Sequence, residues 1–256
     1  MKIDMNHNKE TIKIIQLTDT HLFKKDQLLF NVNTNLAFKK VMSAIQNDLN
    51  DADAIFLTGD LSQDESTESY EIIANSLSDF HKKIFWIPGN HDSISTMDSV
   101  FGGMTNFFRV FTLATPLWDF IFLNTKCEGK ESGALSIEER KLIQSELKKE
   151  RTKPIALVMH HHPIEVKTPL IDNYIMENKD DFLKIINQYR INLIISGHVH
   201  NDYSIKYGNI QLETSPATCF QFKKGSTNLE IEYNVGYKVY YFSSTSYVAK
   251  SRLWNN

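Results

Sequence analysis

Seven of the nine histidines in this 256-residue sequence lie in four short motifs, and each motif follows an apolar run. A fifth motif adds a carboxylate, and the five are, in chain order, Asp19-Thr20-His21, Gly59-Asp60, Gly89-Asn90-His91-Asp92, His160-His161-His162-Pro163 and Gly197-His198-Val199-His200. Their mixture of imidazole, carboxylate and amide groups suits Mn, Fe, Zn and similar ions better than Mg or Ca. The set is large enough for two divalent metals and indicates metal-assisted hydrolysis of a phosphoester.

The elements that position these motifs alternate between strand and helix in the first third of the chain. Apolar runs predict strands at 12–17, 54–58, 83–87, 119–124, 155–159 and 191–195, and helical periodicity predicts helices at 35–49, 69–80, 136–150 and 179–188. The order β-α-β-α-β favours parallel strands joined by right-handed crossovers. Because ligands collect at the carboxyl ends of such strands, we expect the motifs to converge on one pocket.

The last fifth of the chain changes to short alternating runs, which are typical of antiparallel hairpins. One hairpin is predicted between 204–207 and 210–213, and a second between 229–233 and 238–244 with its turn at 234–236. No long linker interrupts the sequence. We therefore predict a single domain over residues 1–256, in which residues 1–10 form a flexible tail.

Composition excludes several classes of function. The net charge is −3, from 28 basic and 31 acidic residues, which is not the basic footprint of a nucleic-acid binder. No apolar run approaches the ~18 residues of a membrane span, and residues 1–10 lack the apolar segment of a secretory signal. The two cysteines, Cys127 and Cys219, do not suggest a disulfide scaffold. These features predict a cytoplasmic protein that binds neither nucleic acid nor membrane.

Two residues have features that suit a direct part in the chemistry. Asp60 follows a glycine that lets the backbone approach closely, so its two oxygens are the best candidates to bridge two ions. Ions ~3.5–4 Å apart can share a water and lower its pKa toward neutrality. A leaving alkoxide also needs a proton, and His91, beside the candidate ligand Asn90, is placed to supply it.

In this order the motifs resemble those of the calcineurin-like metallophosphoesterases, and the resemblance covers residues 12–222. Four longer stretches, 16–23, 58–64, 160–163 and 214–222, resemble the bacterial class III 3′,5′-cyclic AMP phosphodiesterases. Asn124-Thr125 departs from the Asp-Ser that these enzymes often carry. The resemblance implies a fold of the α/β class, the four-layer α/β/β/α sandwich of two mixed β-sheets flanked by helices.

The resemblance also implies a role for each motif residue. The ligands of the first metal would be Asp19, His21 and His200, those of the second Asn90, His160 and His198, and Asp60 would bridge. The substrate contacts would be Asn90, His91, His161 and His200. For His161 and His162 a hydrogen-bonding role behind the ligands is an equal alternative.

The function implied is hydrolysis of the 3′ ester of cyclic AMP to 5′-AMP, by a metal-bridging hydroxide with His91 as general acid and Asp60 as catalytic bridge. The expected cofactors are two divalent ions, Fe and/or Mn, with Zn or Co as further candidates. The expected partner is the small-molecule substrate, bound by a monomer or homodimer. One alternative is a broad-specificity phosphodiesterase or phosphatase, and another is a non-catalytic scaffold.

Overall fold

Two six-stranded β-sheets form the centre of the computed structural model, which describes residues 9–256. The first sheet has the strand order Tyr247–Asn255 (β16), Asn234–Phe242 (β15), Ile12–Leu17 (β1), Ala54–Thr58 (β4), Lys83–Ile87 (β5) and Phe107–Phe108 (β6). The second has the order Ser204–Tyr207 (β11), Ile210–Thr214 (β12), Leu193–Ser196 (β10), Ile155–Met159 (β9), Asp119–Phe122 (β8) and Thr112–Ala114 (β7). Most of the predicted N-terminal tail, residues 1–8, lies outside the described residues.

Seven helices and two small strand pairs complete the described part of the chain. The strand pairs are Leu28–Leu29 (β2) with Val32–Asn33 (β3), and Gln221–Phe222 (β13) with Ile231–Glu232 (β14). The helices are Thr34–Ala44 (α1), Gln46–Asp51 (α2), Thr67–Ser76 (α3), Ile94–Phe101 (α4), Ile137–Leu147 (α5), Pro169–Asp172 (α6) and Lys179–Ile186 (α7). None of the helices within residues 9–256 combines the length and the apolar character needed to cross a bilayer.

Both sheets have parallel centres, and three of their four edge pairs are antiparallel, whereas the edge pair β5·β6 is parallel. Strands β1, β4 and β5 are parallel in the first sheet, and β8, β9, β10 and β12 are parallel in the second. The edge pairs β15·β16, β11·β12 and β7·β8 are antiparallel. The predicted parallel pairing is therefore confirmed, and the ends of β1, β4, β5, β9 and β10 carry the five motifs.

Aromatic rings fill the space between the two sheets. The ring of Phe56 on β4 contacts Phe85 of its own sheet and Phe120 and Phe122 of the other, at centroid distances of 5.9, 5.2 and 5.1 Å. Helices α1, α3 and α4 pack on the outer face of the first sheet, and α5 and α7 pack on that of the second. The four-layer α/β/β/α sandwich is thus confirmed.

Side-chain caps set where two of the helices begin. The Ser136 hydroxyl accepts a hydrogen bond from Glu139 N at 3.0 Å, so the predicted start of α5 is confirmed. The Asn33 amide oxygen likewise accepts from Leu36 N at 2.9 Å at the start of α1. The helix predicted at 35–49 is divided at Ile45 into α1 and α2.

The first predicted hairpin is confirmed as β11·β12, but the second is wrong. Residues 234–236 do not form a turn; they begin β15, which pairs with β16 on one side and β1 on the other. A Cβ at Gly236 would collide with the carbonyl oxygen of Arg252 on β16. The glycine that suggested a turn instead permits a close approach of two strands.

A buried amide connects the two sheets beside the motif ends. The Gln16 Nε2 donates to the carbonyl oxygen of Ser196 on β10 at 3.0 Å and to Thr58 Oγ1 at 2.8 Å. The Tyr240 hydroxyl donates to Gln16 Oε1 at 2.8 Å. Because all four residues are buried, this amide ties the carboxyl ends of β1 and β10 together across the interface between the sheets.

We predict that Gln16→Leu lowers the free energy of unfolding by about 1–3 kcal/mol, because it leaves the buried Ser196 carbonyl and Tyr240 hydroxyl without their partner. Urea denaturation measures this change. The matched control is Gln188→Leu, since the exposed Gln188 bonds only the carbonyl of Lys184 in its own helical turn. Equal stability of the two variants would show that the inter-sheet amide contributes nothing.

Candidate metal centre

Five of the seven predicted metal ligands have a left-handed backbone. The φ angles are +53° for Asp19, +44° for His21, +51° for Asp60, +67° for His198 and +47° for His200. Residues with a Cβ rarely adopt this region, and they persist there only where the surrounding structure holds them. The strain is therefore concentrated at the strand ends, where the chain turns and directs these side chains toward one another.

Hydrogen bonds between the motifs hold these turns. The amides of Asp19 and His21 donate to the carbonyl oxygens of Gly59 and Asp60 at 3.0 and 2.9 Å. The Asp19 carboxylate accepts from the amide of His198 at 3.1 Å. Three motifs from three strands are thus joined through backbone groups, independently of any metal.

Gly59 is required by the closeness of the motifs. Its φ is +94°, and a Cβ there would lie 2.5 Å from His160 Nδ1 and 2.6 Å from Gly89 N. Any larger residue would push apart the second, third and fourth motifs. The prediction that glycine permits a close approach at Asp60 is confirmed, and the approaching group is the imidazole of His160.

Two imidazole nitrogens face each other with their lone pairs. His21 Nδ1 donates to Gln63 Oε1 at 2.6 Å, and His200 Nδ1 donates to the carbonyl oxygen of Phe220 at 3.1 Å. The Nε2 atoms of the two rings are therefore both acceptors, yet they lie 3.0 Å apart. Burial lowers the pKa of His21 to about 4 and that of His200 well below its usual range. A divalent cation between them would satisfy both lone pairs.

A second group of acceptors surrounds His160. Its Nδ1 donates to the Thr58 carbonyl at 2.7 Å, and its Nε2 lies 3.2 Å from both Asp60 Oδ2 and Asn90 Oδ1. Burial is the largest single effect and lowers the pKa of His160, but the charge and hydrogen bond of Asp60, the Asp19 charge and the Thr58 carbonyl together raise it to about 9. Burial opposes ionisation of Asp60, yet His160 holds the pKa of that carboxyl well below its usual range. The cationic ring here neutralises the charge that a metal ion would otherwise balance.

The remaining predicted ligand has an unused nitrogen. His198 Nε2 is buried without a hydrogen-bond partner, and the His198 ring lies 5.2 Å from that of His160. A buried polar atom without a partner is destabilising by about 1–3 kcal/mol, and here the free nitrogen lies beside the other proposed ligands, where a cation would satisfy it. Asp60 belongs both to a group with Asp19 and His160 and to a group with His21 and His91, with ligand atoms within 4.8 Å in each. The described residues therefore fit two cations that share Asp60.

Two residues that the sequence analysis did not identify orient the ligands. Gln63, whose Oε1 accepts from His21, presents its Nε2 to His91 Nδ1 at 3.3 Å, so neutral His91 carries its proton on Nε2. Glu131 Oε2 accepts from Asn90 Nδ2 at 2.7 Å and lies 3.3 Å from His91 Nε2. The Asn90 carbonyl oxygen is left facing His160. Glu131 lies in an irregular segment that gave no sequence signal.

Hydrogen bonds to the Asp92 carboxylate link the second motif to the third. Its Oδ1 accepts from the amides of Leu61 and Ser62 at 2.9 and 3.0 Å and from the Tyr70 hydroxyl at 3.1 Å. Its Oδ2 accepts from Gly89 N at 2.9 Å. Burial raises the pKa of Asp92 to about 6. Asp92 therefore acts as a carboxylate that holds the turns, since none of these hydrogen bonds involves a histidine.

His161 and His162 are both buried behind the ligands. His161 Nε2 donates to the Glu131 carbonyl at 3.1 Å, and its Nδ1 accepts from the Thr125 hydroxyl at 2.8 Å. His162 Nε2 lies 3.3 Å from Asp172 Oδ1. Both nitrogens of His161 are occupied and the ring does not line the cavity described below, so the geometry favours the hydrogen-bonding alternative over contact with substrate. Thr125, at the departure from the family pattern, provides half of that support.

An open cavity of about 440 Å³ lies against this cluster. His91, Asn90, Asp60, His198 and His200 line its polar wall, whereas Asp19 and His160 lie behind the wall. A substrate can therefore approach the face of the cluster that carries the His91 Nε2 proton. The predicted ligands converge as expected, and the cavity gives them access to a small molecule.

We predict that Asp60→Ala removes bound metal and activity together, because it deletes the carboxylate shared by both groups of ligands. Metal content after manganese loading, measured by atomic emission, should fall by at least one ion per chain. Asp98→Ala is the matched control, since Asp98 is exposed and pairs only with Arg109. Full metal content in the Asp60 variant would contradict the shared-ligand assignment.

Comparison with known proteins agrees with this geometry. The family described as calcineurin-like phosphoesterase matches residues 12–202. The chain is 34% identical to a probable cyclic nucleotide phosphodiesterase of Coxiella burnetii over 95% of this chain and 97% of that one. It is 32% identical to the 3′,5′-cyclic adenosine monophosphate phosphodiesterase CpdA of Haemophilus influenzae, over 84% and 79% of the two chains.

A solved structure shares the fold at low sequence identity. Purple acid phosphatase PPD1 from yellow lupin superposes with a TM-score of 0.68 at 14% identity, over 96% of this chain and 52% of that one. At this level of identity, the similarity between the two structures shows a shared fold alone. The family match, the close relatives and the converging ligand motifs together establish that the chain belongs to the calcineurin-like phosphoesterase family.

Proposed function

We propose that this protein is a dinuclear metal-dependent phosphodiesterase that hydrolyses the 3′ ester of 3′,5′-cyclic AMP and releases 5′-AMP. The observation that carries the proposal is a cluster of facing acceptor atoms that opens on a cavity beside the Nε2 proton of His91. The relatives named for cyclic nucleotide hydrolysis support the choice of substrate. A cytoplasmic location and a monomeric or homodimeric state belong to the same proposal.

We infer a division of the ligands into two sites. One ion would be held by Asp19, His21 and His200, the other by Asn90, His160 and His198, and Asp60 would be available to both. Imidazole, carboxylate and amide donors suit Fe and Mn, with Zn or Co as substitutes. When bound, the two ions supply a water of lowered pKa and neutralise the phosphoryl oxygens.

The chain itself supplies the proton for the leaving group. His91 Nε2 faces the cavity and lies 3.3 Å from the Glu131 carboxylate, which favours a protonated ring. The Glu131 side chain is 58% exposed, so it can move aside when a substrate oxygen takes its place as acceptor. The acid is the imidazolium form of His91: transfer of its Nε2 proton to the 3′ oxygen leaves a neutral imidazole and avoids the release of a strongly basic alkoxide.

We predict that His91→Ala lowers kcat for cyclic AMP by about 10²–10⁴-fold, because the 3′ alkoxide leaves without a proton. Metal content should stay at the wild-type level. The loss should be smaller on bis-p-nitrophenyl phosphate, whose phenolate leaves readily unprotonated. The exposed His81, changed to Ala, is the control. Loss of metal, or equal losses on both substrates, would contradict the general-acid assignment.

We further predict that the manganese- or iron-loaded protein converts 3′,5′-cyclic AMP to 5′-AMP, as measured by chromatography of the products. Chelation of the metals should abolish this activity, and re-addition should restore it. Release of 3′-AMP would contradict the assigned leaving group. Hydrolysis of bis-p-nitrophenyl phosphate alone would support the metal centre and overturn the substrate.

A further inference from the structure

The cavity beside the metal centre has a second wall that is apolar and unusually accessible. Phe30, Tyr174 and Leu229 line it while remaining 42%, 41% and 50% exposed. Large apolar side chains that stay exposed around one cavity mark a place for an apolar part of a ligand. The phosphate and ribose of a nucleotide are polar, so its base is the part that fits this wall.

Phe30 is held at this rim by a strained turn. It joins β2 to β3 together with Asn31, and the two residues have φ angles of +50° and +64°. Two-residue hairpin turns of this kind favour Asn and Gly, and a bulky aromatic residue at positive φ is rare. Strained positions of this type often accompany binding sites. The turn presents the Phe30 ring at the mouth of the cavity.

Phe220 connects this ring to the metal centre. Its ring meets Phe30 edge to face at 5.6 Å, and it lies 4.9 Å from the His200 ring and 6.4 Å from the His21 ring. The apolar wall therefore begins at the ligands of the first ion and continues outward to Phe30. A phosphoester held at the ions would place a base, one ribose away, against this wall.

We propose that Phe30, Tyr174 and Leu229 form a nucleobase-binding wall that holds a purine by its faces and not by its edges. The inference rests on the proposed function, because it takes the substrate to be a cyclic nucleotide. Among the described residues on this wall, Tyr174 alone carries a polar side-chain group. Stacking accepts any base, but the larger surface of a purine gives a stronger interaction than that of a pyrimidine. Adenine and guanine should therefore be accepted alike, and pyrimidines less well.

The test compares cyclic AMP with a base-free substrate, the 3′,5′-cyclic phosphate of methyl riboside. In Phe30→Ala and in Tyr174→Ala, the ratio of kcat/KM for cyclic AMP to that for the base-free ester should fall about tenfold, the effect of losing one stacking partner. Phe30→Tyr should keep the wild-type ratio. Tyr207→Ala is the control, since Tyr207 is a partly exposed aromatic residue on β11 outside this cavity. Unchanged ratios in both alanine variants would overturn the proposal.

The selectivity of the wild-type protein among cyclic nucleotides tests the nucleobase-binding wall without any variant. Cyclic GMP should be hydrolysed with a kcat/KM within about threefold of that for cyclic AMP, because hydrogen bonding to a base edge is what produces large discrimination. Cyclic CMP should be hydrolysed less efficiently than either. A preference of about 100-fold or more between the two purines would overturn recognition by the faces alone.

A competition experiment separates this proposal from the proposed function. Adenosine 5′-monophosphate and ribose 5-phosphate are compared as inhibitors of bis-p-nitrophenyl phosphate hydrolysis by the manganese-loaded protein. The adenosine compound should inhibit about tenfold better than ribose 5-phosphate, and Phe30→Ala should remove that advantage. If both results are found but cyclic AMP is not hydrolysed, the proposed function fails and the nucleobase-binding wall is still supported. Equal inhibition by the two compounds would overturn the wall, whatever the protein does to cyclic AMP.

Discussion

The crowding of acceptor atoms at the carboxyl ends of β1, β4, β9 and β10 is the constraint on which the rest of this structure depends. Two neutral imidazoles present their lone pairs to each other 3.0 Å apart, and a third nitrogen, on His198, has no partner. Such an arrangement is unfavourable in a buried site unless a cation occupies it. The high pKa of His160, about 9, expresses the same demand for positive charge. Stability and metal binding are therefore linked, because a cation that binds only the folded chain also stabilises it.

The fold holds this cluster together without help from a metal. Left-handed turns at five ligands are unfavourable locally, and they persist because backbone amides of one motif donate to carbonyls or carboxylates of another. Asp92 accepts four hydrogen bonds, and the two from the amides of Leu61 and Ser62 join the Gly59-Asp60 turn to the Gly89-Asn90 turn. The parallel centres of the two sheets bring these turns to one edge, and the aromatic core between the sheets sets their separation. Backbone hydrogen bonds and sheet packing thus fix the positions of the proposed ligands, as a precise binding site requires.

The cavity has two chemically different walls, which contact different parts of the proposed substrate. The polar wall carries the metal ligands and the His91 proton, so it acts on the phosphoester, which is common to many substrates. The apolar wall comes from other segments, the β2–β3 turn and residues 170–174 and 220–229. These segments supply no proposed metal ligand, although the Phe220 carbonyl accepts from His200 Nδ1, so most of their side chains can vary without loss of a ligand. This separation explains how one metal centre can serve different phosphoesters within a family.

The sequence by itself determined the strands at 12–17, 54–58, 83–87 and 155–159, the sandwich and the convergence of the ligand motifs, because apolar runs and strand-end polar residues are local signals. Only the tertiary structure decided which nitrogen of each imidazole is free, that Gln63 and Glu131 orient the ligands, and that His161 lies behind them. It also decided the pairing of β15 with β16 and β1. The sequence had suggested a turn there because of the glycine at 236. In each case the deciding partner comes from another segment: Glu131 lies 41 residues from Asn90. A hydrogen bond or ring contact between such residues depends on how the sheets pack, and no local pattern records that.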